Sequence, residues 1–134
     1  MWTCPKCSRQ FQKTNQSHIC IKKDVGELFI DKSDDLVLAY DSIYQVVMQW
    51  QPNVASASTK SVVFTSKRAW MIIKPMRKVL DVKFYCAEVI ESDLIHRRVE
   101  YGHKFAYHLR VSHELEVSSE LLALLRYGYD YSVR

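Results

Sequence analysis

The stretch Leu80-Asp81-Val82-Lys83-Phe84-Tyr85-Cys86 decides how this chain is read. Apolar Leu80, Val82, Phe84 and Cys86 alternate with Asp81, Lys83 and Tyr85. Successive side chains of a strand point to opposite faces, so a period of two marks a half-buried β-strand. A strand with one wet face needs neighbours of the same kind, and the sequence supplies them on both sides. Downstream, Phe105, Tyr107, Leu109 and Val111 alternate with Ala106, His108 and Arg110. Upstream, the period is two from Val54 onward, with Val62 and Phe64 on one side, and Ala69 to Lys74 is a further candidate strand. Arg77-Lys78 falls at the turn before the deciding stretch, and Arg97 to Lys104 fits neither period cleanly.

Helical spacing flanks these strands. Asp24 to Ile30 reads as a short helix that turns Leu28 and Phe29 inward. In Ser33-Asp34-Asp35, the Ser33 hydroxyl can cap free amides and the two acids suit the positive end of a helix. Leu36, Tyr40, Ile43, Val47 and Trp50 then recur at steps of three and four, one buried face of a helix that Pro52 ends. Near the other end, Ser118 is placed as a cap, with Val117 and Leu122 as a hydrophobic staple. Leu121, Leu122, Leu124 and Leu125 supply its buried face, and the aromatic end Tyr127-Gly128-Tyr129-Asp130-Tyr131 packs back. Consecutive strands between helices predict an α+β fold: a mostly antiparallel sheet with helices on one face. The domain should occupy residues 24–134, preceded by a small unit over residues 1–23.

The chain has 134 residues, 48% hydrophobic and 25% charged, with three Gly and three Pro, a composition suited to one packed domain with an appendage. No apolar run approaches the roughly 18 residues that span a bilayer. Cys4, Lys6, Cys7 and Arg9 stand where a signal peptide would need apolar residues, so a cytoplasmic protein with no membrane partner is expected. The net charge is only +4, but it is unevenly spread. Lys60, Lys67, Arg68, Lys74, Arg77, Lys78 and Lys83 face a single acid, Asp81, in one stretch. Between His96 and His113 there are four basic residues, one acid (Glu100), and four of the five histidines.

The first unit carries the most specific chemistry. Cys4-Pro5-Lys6-Cys7 is followed, after ten residues, by His18-Ile19-Cys20. A Cys-x-x-Cys turn brings two thiolates to one metal, and zinc takes thiolate and imidazole in a tetrahedron. Cys4, Cys7, His18 and Cys20 fill that shell, which leaves no position for water and makes the expected Zn2+ structural. His18 and Cys20 are two apart and cannot share a helix face, so a knuckle is expected and not a helical finger.

Other candidates each have a plainer reading. Cys86 shares the apolar face of its strand and reads as a core thiol. Glu88, Glu91 and Asp93 read as a solvated turn, with no Glu-x-Lys to suggest a metal nuclease. The aromatics of the basic stretch, Phe64 and Trp70, read as core. His108 and Arg110 share a polar strand face and could line a site for phosphate or carboxylate. There is no Gly-rich phosphate loop and no Gly-x-Ser-x-Gly elbow.

Two stretches resemble a known family. One is Trp2-Thr3-Cys4-Pro5-Lys6-Cys7 with Phe11, Asn15-Gln16 and His18-x-Cys20. The other is the layout beyond it: a Tyr40-bearing helix, Thr59-Lys60 at a strand start, Gly102-His103 before a strand, and a closing Tyr-containing helix. Together they resemble an uncharacterised bacterial domain-of-unknown-function family. Its domain also closes proteins that carry the label "predicted transport protein". The resemblance implies an α+β domain and supplies no activity. A chain with no membrane segment gives no reason to carry the transport label over.

Three functions follow as expectations. The leading one is a non-enzymatic module for nucleic acid or another anionic partner, with the seven basic residues from Lys60 to Lys83 on phosphates. Lys6, Arg9 and Lys13 would extend that surface onto the knuckle. The second is a small-ligand or protein-binding domain with its site near His108 and Arg110. The third, an enzyme, needs a cleft in which His103 or His108 meets a carboxylate. Oligomeric state is not legible.

Overall fold

The structure, a computed structural model, describes residues 2–3, the backbone of 10–11, and 25–134. Strands β1 (Trp2–Thr3) and β2 (Gln10–Phe11) pair antiparallel as a short ribbon. A 3-10 turn over Val25–Phe29 leads into helix α1 (Asp34–Val47). Six strands follow: β3 (Val54–Ala57), β4 (Val62–Thr65), β5 (Ala69–Pro75), β6 (Leu80–Cys86), β7 (Ile95–Tyr101) and β8 (Lys104–Val111). A second 3-10 turn, Glu114–Glu116, precedes helix α2 (Ser119–Ser132). Strands β3 to β8 form one wholly antiparallel sheet in the order β3-β4-β5-β6-β8-β7. The α+β expectation holds.

One face of that sheet is dry. Leu80, Val82, Phe84 and Cys86 are fully buried, as their period requires. The register sets Met71 and Tyr107 beside Phe84, and Ile73 and Leu109 beside Val82, so the buried rows run across strands. Both helices cover this face: α2 lies over β5 and β6, and Tyr44 of α1 meets Phe64 of β4 at 6.3 Å. At Gly128, α2 comes close to the sheet. A Cβ built there would stand 2.9 Å from Phe84 Cδ2 and 3.0 Å from Phe84 Cβ. Only a residue without a side chain lets the helix backbone rest on that ring.

The helices start as their caps dictate. Leu36 N donates to Ser33 Oγ at 3.4 Å, and Leu121 N donates to Ser118 Oγ at 3.2 Å. Leu36, Ala39, Ile43 and Val47 form the buried stripe of α1, while Tyr40 is only half-buried. Trp50 lies past the helix end and packs on Trp70 at 6.1 Å and on Tyr129 at 5.7 Å. The aromatic C-terminal end does pack back, as a continuation of α2 to Ser132.

Two departures from strict alternation have physical causes. A register shift between Phe64 and Thr65 marks a bulge, and Trp70 and Met71 are buried in succession opposite it. The Trp70 Nε1–H donates to Asn53 Oδ1 at 3.2 Å, and Asn53 Nδ2 donates to the Val47 carbonyl at 2.9 Å. This buried chain satisfies the indole and the end of α1 together. The other departure is β7, which takes the outer edge while β8 pairs with β6. The buried Tyr107, Leu109 and Val111 suit an interior strand; the wetter Ile95–Tyr101, with a shift between Ile95 and Arg97, suits an edge. The crossover is pinned by Tyr107, whose hydroxyl donates to the Glu88 carbonyl at 2.7 Å and accepts from Ile90 N at 2.9 Å.

The turn into α2 is fixed by one carboxylate. Glu116 Oε1 accepts from Ser112 N at 2.8 Å, Ser112 Oγ at 2.7 Å and His113 N at 3.0 Å. These donors, Ser112 first, hold the Glu116 carboxyl below its ordinary value.

Gly128→Val should lower stability by about 2 kcal/mol or more, because the added branch meets Phe84 Cβ and cannot be relieved by a rotamer change alone. Urea unfolding measures it, and an unchanged midpoint would contradict the packing. A carboxylate with a depressed folded value stabilises above its unfolded value and loses that contribution as pH falls. Glu116→Gln should therefore lower stability at neutral pH, and the gap between variant and parent should close in acid, read by thermal melts from pH 7 to pH 3.

Candidate functional site

Covering one sheet face sends every alternate side chain to the other, which no described helix covers. The register places Lys74 beside Asp81 and Asp81 beside Arg110 in one row across β5, β6 and β8. The next row runs Ile72, Lys83, His108 and Arg97 across β5, β6, β8 and β7. Beyond it lie Tyr85, Ala106 and Val99, and then Lys104 with Tyr101. Lys74, Lys83, Arg97, Lys104 and Arg110 thus share a face with one carboxylate, Asp81, because β6 supplies the only acid that alternation turns outward there.

Asp81 ties together the first two of these rows. Its Oδ2 accepts from His108 Nδ1 at 3.1 Å, and its Oδ1 lies 3.7 Å from Arg110 Nε. A hydrogen on Nδ1 directs the other ring nitrogen away from the sheet. Arg97 Nη2 stands 3.5 Å from that Nε2. The carboxylate side chain is 17% exposed and that of His108 12%, so their pairing is shielded, while Arg110, at 42%, keeps its guanidinium at the surface.

The aromatics of the face come from β6 and β7. Tyr85 and Tyr101 meet edge to face, with centroids 6.3 Å apart. Lys104 Nζ lies 4.6 Å from the Tyr85 ring centre and Lys83 Nζ 5.4 Å. Tyr85 therefore positions two ammonium groups. Tyr101, 49% exposed, presents the accessible ring.

The structure divides the basic residues that sequence groups together. Lys74 and Lys83 reach the face, as do His108 and Arg110. Arg77 and Lys78 are exposed in the β5–β6 turn, at the same end of the sheet as Lys60 in the β3–β4 turn. Lys67 and Arg68 lie in the β4–β5 turn at the opposite end. Arg68 is engaged there: its guanidinium donates to the Arg134 carbonyl at 3.1 Å and lies 5.6 Å from the Tyr131 ring centre. Phe64 and Trp70 are fully buried, so neither can stack on a ligand.

Sequence reasoning missed Arg97, Lys104, Tyr85 and Tyr101 as members of the face. Tyr85 was accessible to it, since alternation with buried Cys86 puts it on the same side as Lys83. The other three depend on β7 lying beyond β8, which local pattern does not encode.

The remaining candidates lie elsewhere. Cys86 is buried, burial pushes its thiol up, and it donates to Glu88 Oε2 at 3.6 Å. Glu88 pairs with Arg134 at 2.7 Å, which holds its carboxyl below the ordinary value, and Glu91 reaches Arg98 at 3.9 Å. These acids face cations and do not converge. His113 Nδ1 accepts from Leu115 N at 3.1 Å in the turn before α2, and His96 and His103 are exposed. Among the described residues, no group of three or more His, Cys, Asp or Glu side chains could hold a metal ion. Cys4, Cys7, His18 and Cys20, and the basic Lys6, Arg9 and Lys13, lie outside the described residues.

A family model described as Domain of unknown function (DUF5655) matches residues 25–132. The chain belongs to that family. The match begins after the Cys-bearing stretch and takes in every element from the first 3-10 turn to α2. No curated protein and no solved structure was found to match the chain. No helix among the described residues is long and apolar enough to cross a membrane.

Proposed function

We propose that this member of the DUF5655 family is a non-enzymatic binding module that takes single-stranded nucleic acid on the open face of its sheet. The observation that carries the reading is a row-by-row array of five cations and two tyrosines along one open sheet face whose carboxylate, Asp81, is already paired. Ammonium and guanidinium groups neutralise a phosphate backbone without reading sequence. An exposed ring on a sheet adds sequence-tolerant stacking to bases splayed out of a duplex. A duplex would offer Tyr101 no free base. The His108–Asp81 pair meets the first condition for an enzyme, a histidine beside a carboxylate. It is read here as structural, because Asp81 is shared with Arg110 and Arg97 sits over the nitrogen that a general base would use.

In this reading Cys4, Cys7, His18 and Cys20 hold a structural Zn2+ at the start of the chain, and a reducing, cytoplasmic compartment keeps their thiols available. Support comes from their spacing and from the antiparallel pairing of β1 with β2 on either side of the Cys4-Cys7 pair.

Fluorescence anisotropy with labelled single- and double-stranded DNA and RNA, at two salt concentrations, tests the module. Single strands should bind with micromolar or better affinity. Replacing Lys83, Arg97 and Arg110 together with Gln should weaken binding and flatten the logarithmic salt slope by about 2, at roughly 0.7 per phosphate contact. Tyr101→Ala should cost about 1–3 kcal/mol, whereas Lys67→Gln, at the far end, should change nothing. No binding at low salt would end the proposal. The zinc site is tested separately: protein purified without chelators should carry about one zinc per chain, and Cys4→Ser should release it while the β3–β8 sheet stays folded by circular dichroism. Metal-free protein from that preparation would rule zinc out.

A further inference from the structure

A second place in the molecule gathers positive charge without an evident structural need. At the end of the sheet, between the Val25–Phe29 turn and the β3–β4 turn, lies a depression of about 270 Å³. Lys32, Lys60 and Lys74 line it from three separate parts of the chain, with the Thr59 hydroxyl and one acid, Glu27. Its apolar floor is formed by Leu28 and Pro75, both buried.

The charge balance there suits a ligand better than it suits folding. Three lysines line the hollow beside one acid, Glu27, and the partner of Lys32, Asp31, is not among the lining residues. Lys32 is the most enclosed of the three: its side chain is 18% exposed, and its partner Asp31, at 3.4 Å, is 80% exposed. An ion pair so open to water contributes little to stability. The apolar floor lowers the local dielectric and strengthens any charge that enters. Lysines arriving from different directions match a compact group with charge on several oxygens, and a hydroxyl adds a neutral donor. The planar, bidentate demand of a lone carboxylate would favour arginine. The hollow is also larger than a bare anion requires, so its occupant carries a substituent.

We infer that this depression binds a phosphomonoester, with Lys32, Lys60 and Lys74 on the phosphate and the floor of Leu28 and Pro75 beneath its substituent. The site does not require the nucleic-acid reading, although Lys74 belongs to both. The phosphate could arrive at the end of a nucleic-acid strand or on a free phosphorylated small molecule, and the chemistry of recognition is the same.

Backbone amide NMR of the full chain distinguishes these cases. Inorganic phosphate and ribose 5-phosphate should give saturable shifts at the amides of Leu28, Thr59 and Lys60. Lys32→Gln should weaken both by about tenfold, Lys32→Arg should retain most of the affinity, and Lys67→Gln, in the β4–β5 turn at the opposite end of the sheet, should leave it unchanged. The spectrum of each variant shows directly whether it is folded. One oligonucleotide is then compared with a 5′-phosphate, a 3′-phosphate or hydroxyls at both ends. Tighter binding of a phosphorylated form, lost in Lys32→Gln, identifies a strand end as the source. Equal binding of all three, with ribose 5-phosphate still saturating, identifies a small molecule. Phosphate shifts that do not saturate, or that survive Lys32→Gln undiminished, overturn the site even if the oligonucleotide binds the sheet; an oligonucleotide that fails to bind while ribose 5-phosphate saturates leaves the site standing and removes the sheet-face reading.

Discussion

The contact between Phe84 and the backbone of α2 at Gly128 is the constraint on which the rest of the structure depends. It brings the helix down on the middle of the sheet, where Phe84 is flanked by Met71 and Tyr107 in the same buried row. Apolar burial stabilises in proportion to area, so a helix that approaches closely removes more of those side chains from water. Trp70, Trp50 and Tyr129 close the core at one side of that contact; the Trp70 indole donates to Asn53 and the Tyr129 hydroxyl to the Pro52 carbonyl. With both helices committed to one face, the alternate residues of six strands are left to the other.

That division turns a packing rule into an electrostatic surface. A net charge of +4 over 134 residues is modest for the whole chain. It becomes concentrated because the carboxylates go elsewhere. Glu88 is held by Arg134, Glu116 caps a turn, and Glu100 lies opposite Phe105 on the helix-covered side of the edge strand. Among the described strand residues, Asp81 is the acid that stays on the open face, where it fixes His108 and steadies Arg110. Tyr85 positions Lys83 and Lys104, Asp81 positions Arg110 and His108 adjoins Arg97, so an anion meeting these four would cost less side-chain freedom than one met by a scatter of lysines.

How much of this could be read from the sequence varied with the range of the interaction. The strands β6 and β8, both helix caps and the burial of Phe64 and Trp70 were legible because period and capping are local. The bulge that buries Trp70 beside Met71 was not, since it depends on how β4 and β5 register. The order β6-β8-β7 was likewise hidden, and with it the membership of Arg97, Lys104 and Tyr101 in the face. Grouping Lys60 to Lys83 by sequence therefore joined residues that hairpins send to opposite ends, while residues far apart in the chain were left unjoined. Arg68 shows the same limit, because its partners, Tyr131 and Arg134, are more than sixty positions away.

Lys74 is where the two proposed anion-binding surfaces meet. It is an outward residue of β5, in register with Asp81, and it also borders the hollow at the sheet end. Pro75, its neighbour, turns to the opposite side and is buried. One step along a strand thus joins a broad face suited to many weak phosphate contacts with a compact site suited to one doubly charged group. A chain of phosphates with a terminal monoester has both kinds of charge in the same order. The fold needs no moving part to accommodate it, because alternation at the end of a strand already supplies the junction.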